Sequence, residues 1–387
     1  MTASMFATMA VARPPTHASI KTVRADQGII MAQSPKHGLP NLGCTKPVTR
    51  RQWLAGSAAV LAVGSATGAA PKSFGQATPN CVDVHHHVSP PTWLDAVKSM
   101  RRDNPPMSNW SVQKTLDDMD NGGVATAITS PTTPQVIGLG KSTSVRVARE
   151  SNEYCKKLES DYKGRFGTFA MLPFPHIDEC LEEIAYAFDV LNVDGVCCMT
   201  SYGDKWLGYA EFGPVWEELS RRKATVYTHP TTATCCVNLV RGIDDAHIEF
   251  GADTTRSIFS VIFSGTSQKY KDVNWIWSHG GGALTAFADR FLFLAVSRPP
   301  YVGKFTRAIV EAELRRFYYD TAQVANPITL SAMVQLMPIP RIVYGTDFPY
   351  RSAADNTRGV TAFFTGDDLK AVTRENILRL IPRLNGA

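Results

Sequence analysis

The sequence lacks several features that would indicate other classes of protein. None of its eight cysteines lies in a C-x-x-C pair, so a structural zinc site built from paired thiolates is not predicted. The weakly apolar run 55–70 is too short and too rich in glycine to span a membrane. The vicinal pairs Cys197–Cys198 and Cys235–Cys236 are interpreted as small apolar side chains near strands.

A charge pattern suited to nucleic acid is also missing. The chain has 40 basic and 35 acidic residues, and residues 1–77 hold 8 of the basic and 1 of the acidic ones. Residues 78–387 therefore have 32 basic and 34 acidic residues, a net charge of −2. The basic isoelectric point of the whole chain is therefore due to the excess of basic residues among the first 77. Neither nucleic acid nor a stably inserted membrane is an expected partner.

Residues 1–77 have the composition of a leader. Arg50–Arg51 precede the apolar run, and Gly75–Gln76–Ala77 offers small residues at a plausible cleavage point, as in a twin-arginine export signal. We expect a periplasmic or exported protein with Met31 as a candidate start. The alternatives are a basic leader that engages no exporter, an organellar presequence, since residues 1–48 hold a single acidic residue, and a cytoplasmic protein.

From residue 78 to 387, short apolar strands alternate with longer helical patterns. This alternation predicts a (β/α)₈ barrel better than an open doubly wound sheet, in a single domain. The predicted strands are Val82–Val88, Val124–Ser130, Phe166–Leu172, Gly195–Met199, Thr225–His229, Asn274–Ser278, Phe317–Thr321 and Ile342–Gly345. The predicted helices include Ser142–Tyr162, Ile177–Leu191, Phe212–Arg222 and Ala283–Phe293.

The first strand carries the sequence D-x-H-x-H. Side chains alternate along a strand, so His85 and His87 are predicted to share a face, with Asp83 on that face and His86 opposite. Two imidazoles about 7 Å apart on one face can hold one metal ion if the strand twists. A histidine-rich strand without metal is the alternative.

Polar residues follow three later strands directly, at the end of a barrel where active sites are built. They are His229 after the fifth strand, His279 after the sixth and Asp347 after the eighth. Together with the first strand they predict a metal site of His85, His87, His229 and Asp347, with His279 nearby. The ligand chemistry suits one divalent ion, zinc in the first place, with manganese or iron as alternatives. A structural barrel histidine and a helix N-cap are the competing interpretations of His229 and Asp347.

These motifs resemble those of the amidohydrolase-related metal-dependent decarboxylases. D-x-H-x-H, T-H-P, S-H-G-G-G and G-T-D-F-P occur in that order between Cys81 and the C-terminus. The stretches 181–187 and 217–226 are similar to the 6-methylsalicylate decarboxylases within the family. The resemblance implies a carboxy-lyase that removes CO₂ without oxidation from an aromatic, salicylate-type or related unsaturated carboxylic acid.

The resemblance also implies roles for single residues. Asp347 and the other three predicted ligands would bind the metal, and His279 would be the acid/base. Because the ring carbon must gain a proton, Asp347 is also a candidate catalytic residue that could deliver it in place of His279. Arg290 matches an arginine that reaches across a dimer interface to the substrate carboxylate, so a homodimer is expected; a surface salt bridge is the alternative role. The family's second substrate arginine has no counterpart in Met107–Ser108–Asn109–Trp110, which favours a monocarboxylate.

Three other functions remain open from the sequence. The same ligands fit a metal-dependent hydrolase of an ester, lactone or amide. A serine esterase is suggested by His279–Gly280–Gly281–Gly282, but the chain has no G-x-S-x-G elbow. A metal-binding periplasmic receptor without turnover is the non-enzymatic alternative.

Overall fold

Eight parallel strands make up the main sheet of the computed structural model, which describes residues 80–386. Each strand pairs with the next one along the chain, and a separate two-stranded hairpin, Ser201–Tyr202 with Lys205–Trp206, lies between the fourth and fifth. The strands are β1 (Cys81–His87), β2 (Val124–Ser130), β3 (Phe166–Met171), β4 (Gly195–Met199), β5 (Thr225–His229), β6 (Asn274–Trp277), β7 (Tyr318–Asp320) and β8 (Ile342–Val343).

The sheet closes on itself through contacts between β1 and the segment that continues β8. The backbone N–H of Val84 donates to the carbonyl of Tyr344 at 3.0 Å, and that of His87 donates to Phe348 at 2.8 Å. The N–H of Asp347 donates in return to the carbonyl of His85 at 2.8 Å. Closure therefore brings the D-x-H-x-H strand beside the G-T-D-F-P segment, although the two are more than 250 residues apart in sequence.

Helices connect and surround the strands. The longer helices bury one stripe of side chains: in Lys141–Asp161 the buried residues follow the helical period (Ser144, Val147, Ala148, Ser151, Asn152, Cys155 and Leu158). The fourteen helices of the described residues, α1 to α14, are Pro91–Ser99, Pro105–Ser108, Val112–Gly122, Lys141–Asp161, Ile177–Asp189, Gly213–Arg221, Glu249–Phe263, Thr266–Lys269, Leu284–Ser297, Arg307–Arg316, Pro327–Leu336, Ala353–Phe363, Gly366–Lys370 and Asn376–Leu380.

The inside of the barrel is filled by large side chains. The rings of Phe169 and Tyr227 stack with centroids 5.5 Å apart, and Tyr227 packs edge-on against His85 at 5.3 Å. All three side chains are fully buried. These aromatic rings fill the barrel beneath the β1 histidines, so an open site can exist only at the carboxyl ends of the strands.

The prediction of a (β/α)₈ barrel is confirmed. Three predicted strands, Val124–Ser130, Gly195–Met199 and Thr225–His229, have the observed bounds, and the four named helices are found within a few residues. The predicted leader, residues 1–77, and its boundary with the barrel lie outside the described residues. Within residues 80–386, no helix has the length and apolar character needed to cross a membrane.

Candidate metal centre and active site

Four side chains predicted as metal ligands converge at the carboxyl end of the barrel. His85 and His87 come from β1, His229 ends β5, and Asp347 lies just beyond β8. One nitrogen or oxygen from each lies within 4.8 Å of the others, and all four residues are buried. Among residues 80–386 this group has the composition and spacing of a metal site.

The second nitrogen of each imidazole is engaged away from this centre. Nδ1 of His87 donates to the carbonyl of Ser130 at 3.2 Å, and Nδ1 of His229 donates to that of Pro230 at 2.8 Å. A carbonyl oxygen can only accept, so in the neutral rings Nδ1 carries the hydrogen and Nε2 presents its lone pair to the centre. Nδ1 of His85 lies 2.8 Å from Oδ2 of Asp320. Outer partners of this kind orient metal-binding histidines.

The atoms at the centre are acceptors crowded together. Nε2 of His85 lies 3.1 Å from Nε2 of His87, and Oδ1 of Asp347 lies 3.1 Å from the first and 3.2 Å from the second. Oδ1 is buried and has no hydrogen-bond donor among the described residues. A cation would satisfy this oxygen and the imidazole lone pairs at once, so the residues present fit a divalent metal ion.

The pKa values of the residues at the centre also fit a site for a cation. Burial raises the pKa of Asp347, but the nearby His85 more than compensates and holds it well below its usual value. Burial lowers the pKa of His85, but the carboxylates of Asp347 and Asp320 raise it to about 10. Burial lowers the pKa of His87, and with the neighbouring imidazoles it holds that of His229 well below the usual value. Without a metal, one proton on His85 therefore takes the cation's place.

Metal binding is expected to displace this proton. Because a metal needs a neutral imidazole and the pKa of metal-free His85 is about 10, binding at pH 7.5 should release about one proton. Metal affinity should then rise roughly tenfold per pH unit below that pKa. Titration calorimetry in buffers of different ionisation enthalpy measures the number released. Asp320→Asn removes one carboxylate that raises this pKa and should lower the number; release of no proton by the unsubstituted protein would contradict the assignment.

His279 and Gln323 approach the other oxygen of Asp347. Nε2 of His279 lies 3.3 Å from Oδ2, and the Gln323 amide donates to Oδ2 at 2.9 Å. Oδ1 of Asp347 thus faces the metal centre, whereas Oδ2 faces His279 and Gln323. The backbone φ angles of Asp347 (69°), His279 (52°) and Gln323 (60°) are all left-handed, a conformation that side chains other than glycine adopt at a cost and that is common at functional sites.

Asp320, at the end of β7, is a residue that the sequence did not single out. Its carboxylate accepts from Tyr227 OH at 3.0 Å and from the backbone N–H of His279 at 2.7 Å, besides its contact with His85. It thereby fixes both a metal ligand and the acid/base histidine. The sequence contains one signal for this residue: Asp320 is a carboxylate at the end of the apolar strand Tyr318–Tyr319–Asp320. Asp347 comes after another apolar strand in the same way.

Asp83 does not join His85 and His87 at the centre, so this prediction is wrong. Its carboxylate accepts from Nδ1 of His86 at 2.9 Å and from the Thr346 backbone N–H and hydroxyl at 3.0 and 2.6 Å. The reason is that the pairing of β1 with β2 shifts register between Asp83 and His86, so the side chains do not alternate regularly. Asp83 instead ties β1 to the segment after β8.

Gly345 lets these elements approach one another. A Cβ at this position would lie 2.9 Å from Cβ of His85 and 3.1 Å from Cβ of Asp320. Contacts this short force a neighbour to move, so any larger residue would displace a metal ligand or the carboxylate that orients it. This explains the glycine of G-T-D-F-P physically.

A cavity of about 560 Å³ opens onto the metal centre. Apart from Ala246 and Gly251, its lining residues are polar or aromatic, and among the described residues no lysine or arginine lines it. The lining residues include Asn104, Thr132, Thr133, Phe250, Tyr350 and His247, with His229, His279 and Asp347 on the metal side. The volume lies within the range of small-molecule sites and is ample for a substituted aromatic ring.

Arg290 lies elsewhere on the same chain. It is exposed on α9 and is not among the residues that line the cavity. The role that the resemblance implies for Arg290 therefore involves the cavity of a second chain.

Comparisons with known proteins agree with this geometry. The amidohydrolase family model matches residues 82–383. The chain is 34% identical over 326 residues to Decarboxylase yanB of Aspergillus niger, covering 78% of this chain and 87% of that protein. It is 31% identical over 325 residues to 6-methylsalicylic acid decarboxylase acuB of Aspergillus aculeatus, covering 79% and 97%.

Solved structures share the fold. A dihydroxybenzoic acid decarboxylase from a Polaromonas species, crystallised with manganese and the inhibitor 2-nitroresorcinol, superposes with a TM-score of 0.69 at 20% identity. The match covers 80% of this chain and 98% of that one. At this identity the likeness concerns the barrel architecture, whereas the more similar sequences and the family match define the relationship.

Proposed function

The chain belongs to the amidohydrolase family, and from this premise we propose that it is a metal-dependent decarboxylase of a salicylate-type aromatic acid. The observation that carries the proposal is the group of three imidazoles and one carboxylate at the base of a cavity that can admit an aromatic acid. The more than 30% identical relatives named as decarboxylases support the same reaction class.

The ligands His85, His87, His229 and Asp347 would hold the ion. When bound, a divalent cation acts as a Lewis acid that fixes a carboxylate and its ortho hydroxyl and accepts negative charge. Three nitrogens and one oxygen suit zinc, which we take as the resident metal, with manganese as the alternative. The manganese in the dihydroxybenzoic acid decarboxylase supports that alternative. Elemental analysis of the purified protein decides between them.

His279 supplies the proton that the reaction needs. Loss of CO₂ from an aryl carboxylate breaks the C–C bond, and the product ring must gain one proton at the same carbon. The side chain of His279 is 13% exposed at the cavity and shares Oδ2 of Asp347, so this pair can hold a proton and deliver it to the ring carbon. When the C–C bond then breaks, its electron pair restores the aromatic ring and CO₂ leaves.

The cavity favours a substrate with one carboxylate. A second carboxylate would need its own cation, and no lysine or arginine of the same chain lines the cavity. Phe250 and Tyr350 provide apolar and aromatic surface for a ring. We therefore propose a monocarboxylic hydroxybenzoate such as 6-methylsalicylate.

A substrate panel tests the reaction class. The protein loaded with zinc or manganese is incubated with ortho-hydroxybenzoates and, separately, with an aryl ester and a lactone, while CO₂ release and acid release are followed. We expect CO₂ from at least one hydroxybenzoate. Hydrolysis of the ester or lactone without any CO₂ from the panel would assign the site to the runner-up, a metal-dependent hydrolase.

We further propose a homodimer that contacts through α9. Its exposed side includes Phe287, Phe293 and Val296, which are 46%, 61% and 42% exposed, around Arg290. Apolar side chains this exposed are typical of interfaces, and no lysine or arginine of the same chain lines the cavity.

Replacing Arg290 by alanine should raise KM with little change in kcat. A hydrogen bond to a charged group contributes about 1.5–3 kcal/mol, so the expected increase is roughly tenfold to a hundredfold. Arg298→Ala, exposed just beyond the end of α9, is the matched control and should leave KM unchanged. Steady-state kinetics and light scattering read the result; a monomer, or an equal effect of both substitutions, would contradict the proposed role.

Export is proposed for the leader. The paired Arg50–Arg51 and the following apolar run support a twin-arginine signal. Replacing both arginines by lysine in the full chain should keep the protein in the cytoplasm when cell fractions are compared. Equal export of both forms would contradict the signal and favour the cytoplasmic or organellar alternative.

A further inference from the structure

Two adjacent thiols lie outside the metal centre and have no part in the proposed reaction. Cys235 and Cys236 end a short 3₁₀ turn, Thr234–Cys236, in the segment that follows β5. Their Sγ atoms are 2.7 Å apart, about 0.7 Å more than the length of an S–S bond. Cys235 is exposed, whereas Cys236 is buried at 6% exposure. One sulfur is thus open to a reagent, and the other lies beside it.

The interpretation of this pair as apolar filling is wrong for Cys235, which is exposed, although Cys236 is buried. It describes Cys197 and Cys198, which lie on β4 with both side chains fully buried. Neighbouring residues of a strand point to opposite faces, so those two thiols cannot meet. Cys235 and Cys236 occupy a turn, where neighbouring side chains can lie on the same side. The chain therefore contains two Cys–Cys pairs, one with an exposed thiol in a turn and one fully buried on a strand.

The turn is attached at a defined place. The backbone N–H of Cys235 donates to Oδ1 of Asp204 at 2.7 Å, and that of Thr234 donates to the carbonyl of Gly203 at 3.3 Å. Further along the same segment, Asp244 and His247 line the cavity above the metal centre. The thiol pair thus precedes two residues of the cavity wall on the same segment of the chain.

We propose that Cys235 and Cys236 are a reversible dithiol–disulfide site that exchanges with small disulfides such as oxidised glutathione. The thiolate of Cys235 attacks one sulfur of the reagent and releases one glutathione thiol. The thiolate of Cys236 then attacks Sγ of Cys235 and releases the second, so the protein pair is oxidised by two electrons and the reagent is reduced by two.

Two physical features shape this reaction. Adjacent Cα atoms are about 3.8 Å apart, below the usual range for a disulfide, so the closed ring is easily reduced again and suits a switch better than a permanent cross-link. The contact with Cys236 raises the pKa of Cys235 to about 11, which keeps the first attack slow at neutral pH. The second attack is fast because the partner sulfur is adjacent, so the mixed disulfide should not accumulate.

Peptide mapping tests the site independently of enzymatic activity. The full chain is reduced, desalted, treated with oxidised glutathione at pH 8.5, alkylated under denaturing conditions and digested with trypsin. Residues 224–241 form one tryptic peptide that contains Cys235 and Cys236 and no other cysteine. We expect this peptide to be two hydrogen masses lighter, unalkylated, and restored by dithiothreitol.

The buried pair and one variant provide the controls. The tryptic peptide 166–205, which carries Cys180, Cys197 and Cys198, should be alkylated at all three thiols in the same sample. Cys236→Ser should retain glutathione on Cys235, because the resolving thiol is gone. A stable glutathione adduct on the unsubstituted protein, a disulfide between two chains, or full alkylation of peptide 224–241 would overturn the proposal.

Discussion

Replacing His85 or Asp347 by alanine is expected to abolish metal binding and CO₂ release together. His85 contacts His87, Asp347 and Asp320 at the centre, and Asp347 supplies its one carboxylate ligand. Losing one of four ligands from a buried site typically weakens metal affinity by orders of magnitude, and a site without its ion cannot fix the substrate. Metal content by elemental analysis and CO₂ release should fall in the same samples.

A control separates loss of a ligand from general damage. His247→Ala removes a histidine that lines the same cavity but lies outside the four-ligand group, and it should retain full metal content. Since an alanine at buried His85 removes one of the hydrogen-bond partners of Asp320, His85→Gln should be tested as well, with circular dichroism to verify folding. A folded His85 variant that keeps one metal ion per chain would contradict the ligand assignment.

The second large effect is expected for His279→Ala, which should keep the metal and lose catalysis. Its imidazole is not one of the four ligands and faces Oδ2 of Asp347, away from the crowded side. General acid–base catalysis contributes roughly a hundredfold to ten-thousandfold, so kcat should fall by that range. Steady-state kinetics on metal-loaded protein measures it.

Two other results would contradict the role of His279 as the acid/base. If the variant loses metal as fully as His85→Ala, His279 is a ligand and not the acid/base. If kcat is unchanged at full metal content, the proton comes from elsewhere. Gln323→Leu is an informative comparison, since it removes the other donor to Oδ2 of Asp347 without removing a proton carrier, and it should lower kcat less.

Most of the fold could be predicted because its signals are local. Short β-branched and apolar runs such as Val124–Ser130 and Thr225–His229 alternate with helical periods, and polar residues follow where strands end. The prediction was less accurate at β8, where Tyr344 and Gly345 continue the predicted strand but fall outside the observed Ile342–Val343. There the backbone turns toward β1 and pairs with it beyond the end of the strand.

The four ligands could be predicted because each lies at a strand end, where barrel topology alone brings them together. Their supporting contacts could not. The contact between Asp320 and His85 spans 235 positions, and no local pattern encodes it. The prediction for the Asp83 side chain was wrong for a related reason, because a register shift in β1 interrupts the regular alternation of side chains between the two faces. The exposure of Cys235 likewise depends on tertiary structure, because the sequence of its pair is the same as that of the buried one.

Stepwise loading of metal-free protein tests the central claim most directly. Zinc or manganese is added in substoichiometric amounts, and bound metal and the rate of CO₂ release from a hydroxybenzoate are measured on each sample. We predict that the rate rises in proportion to bound metal and reaches its plateau at one ion per chain. Full CO₂ release by protein with almost no metal, or a plateau reached without occupation of the His85, His87, His229 and Asp347 site, would contradict the account.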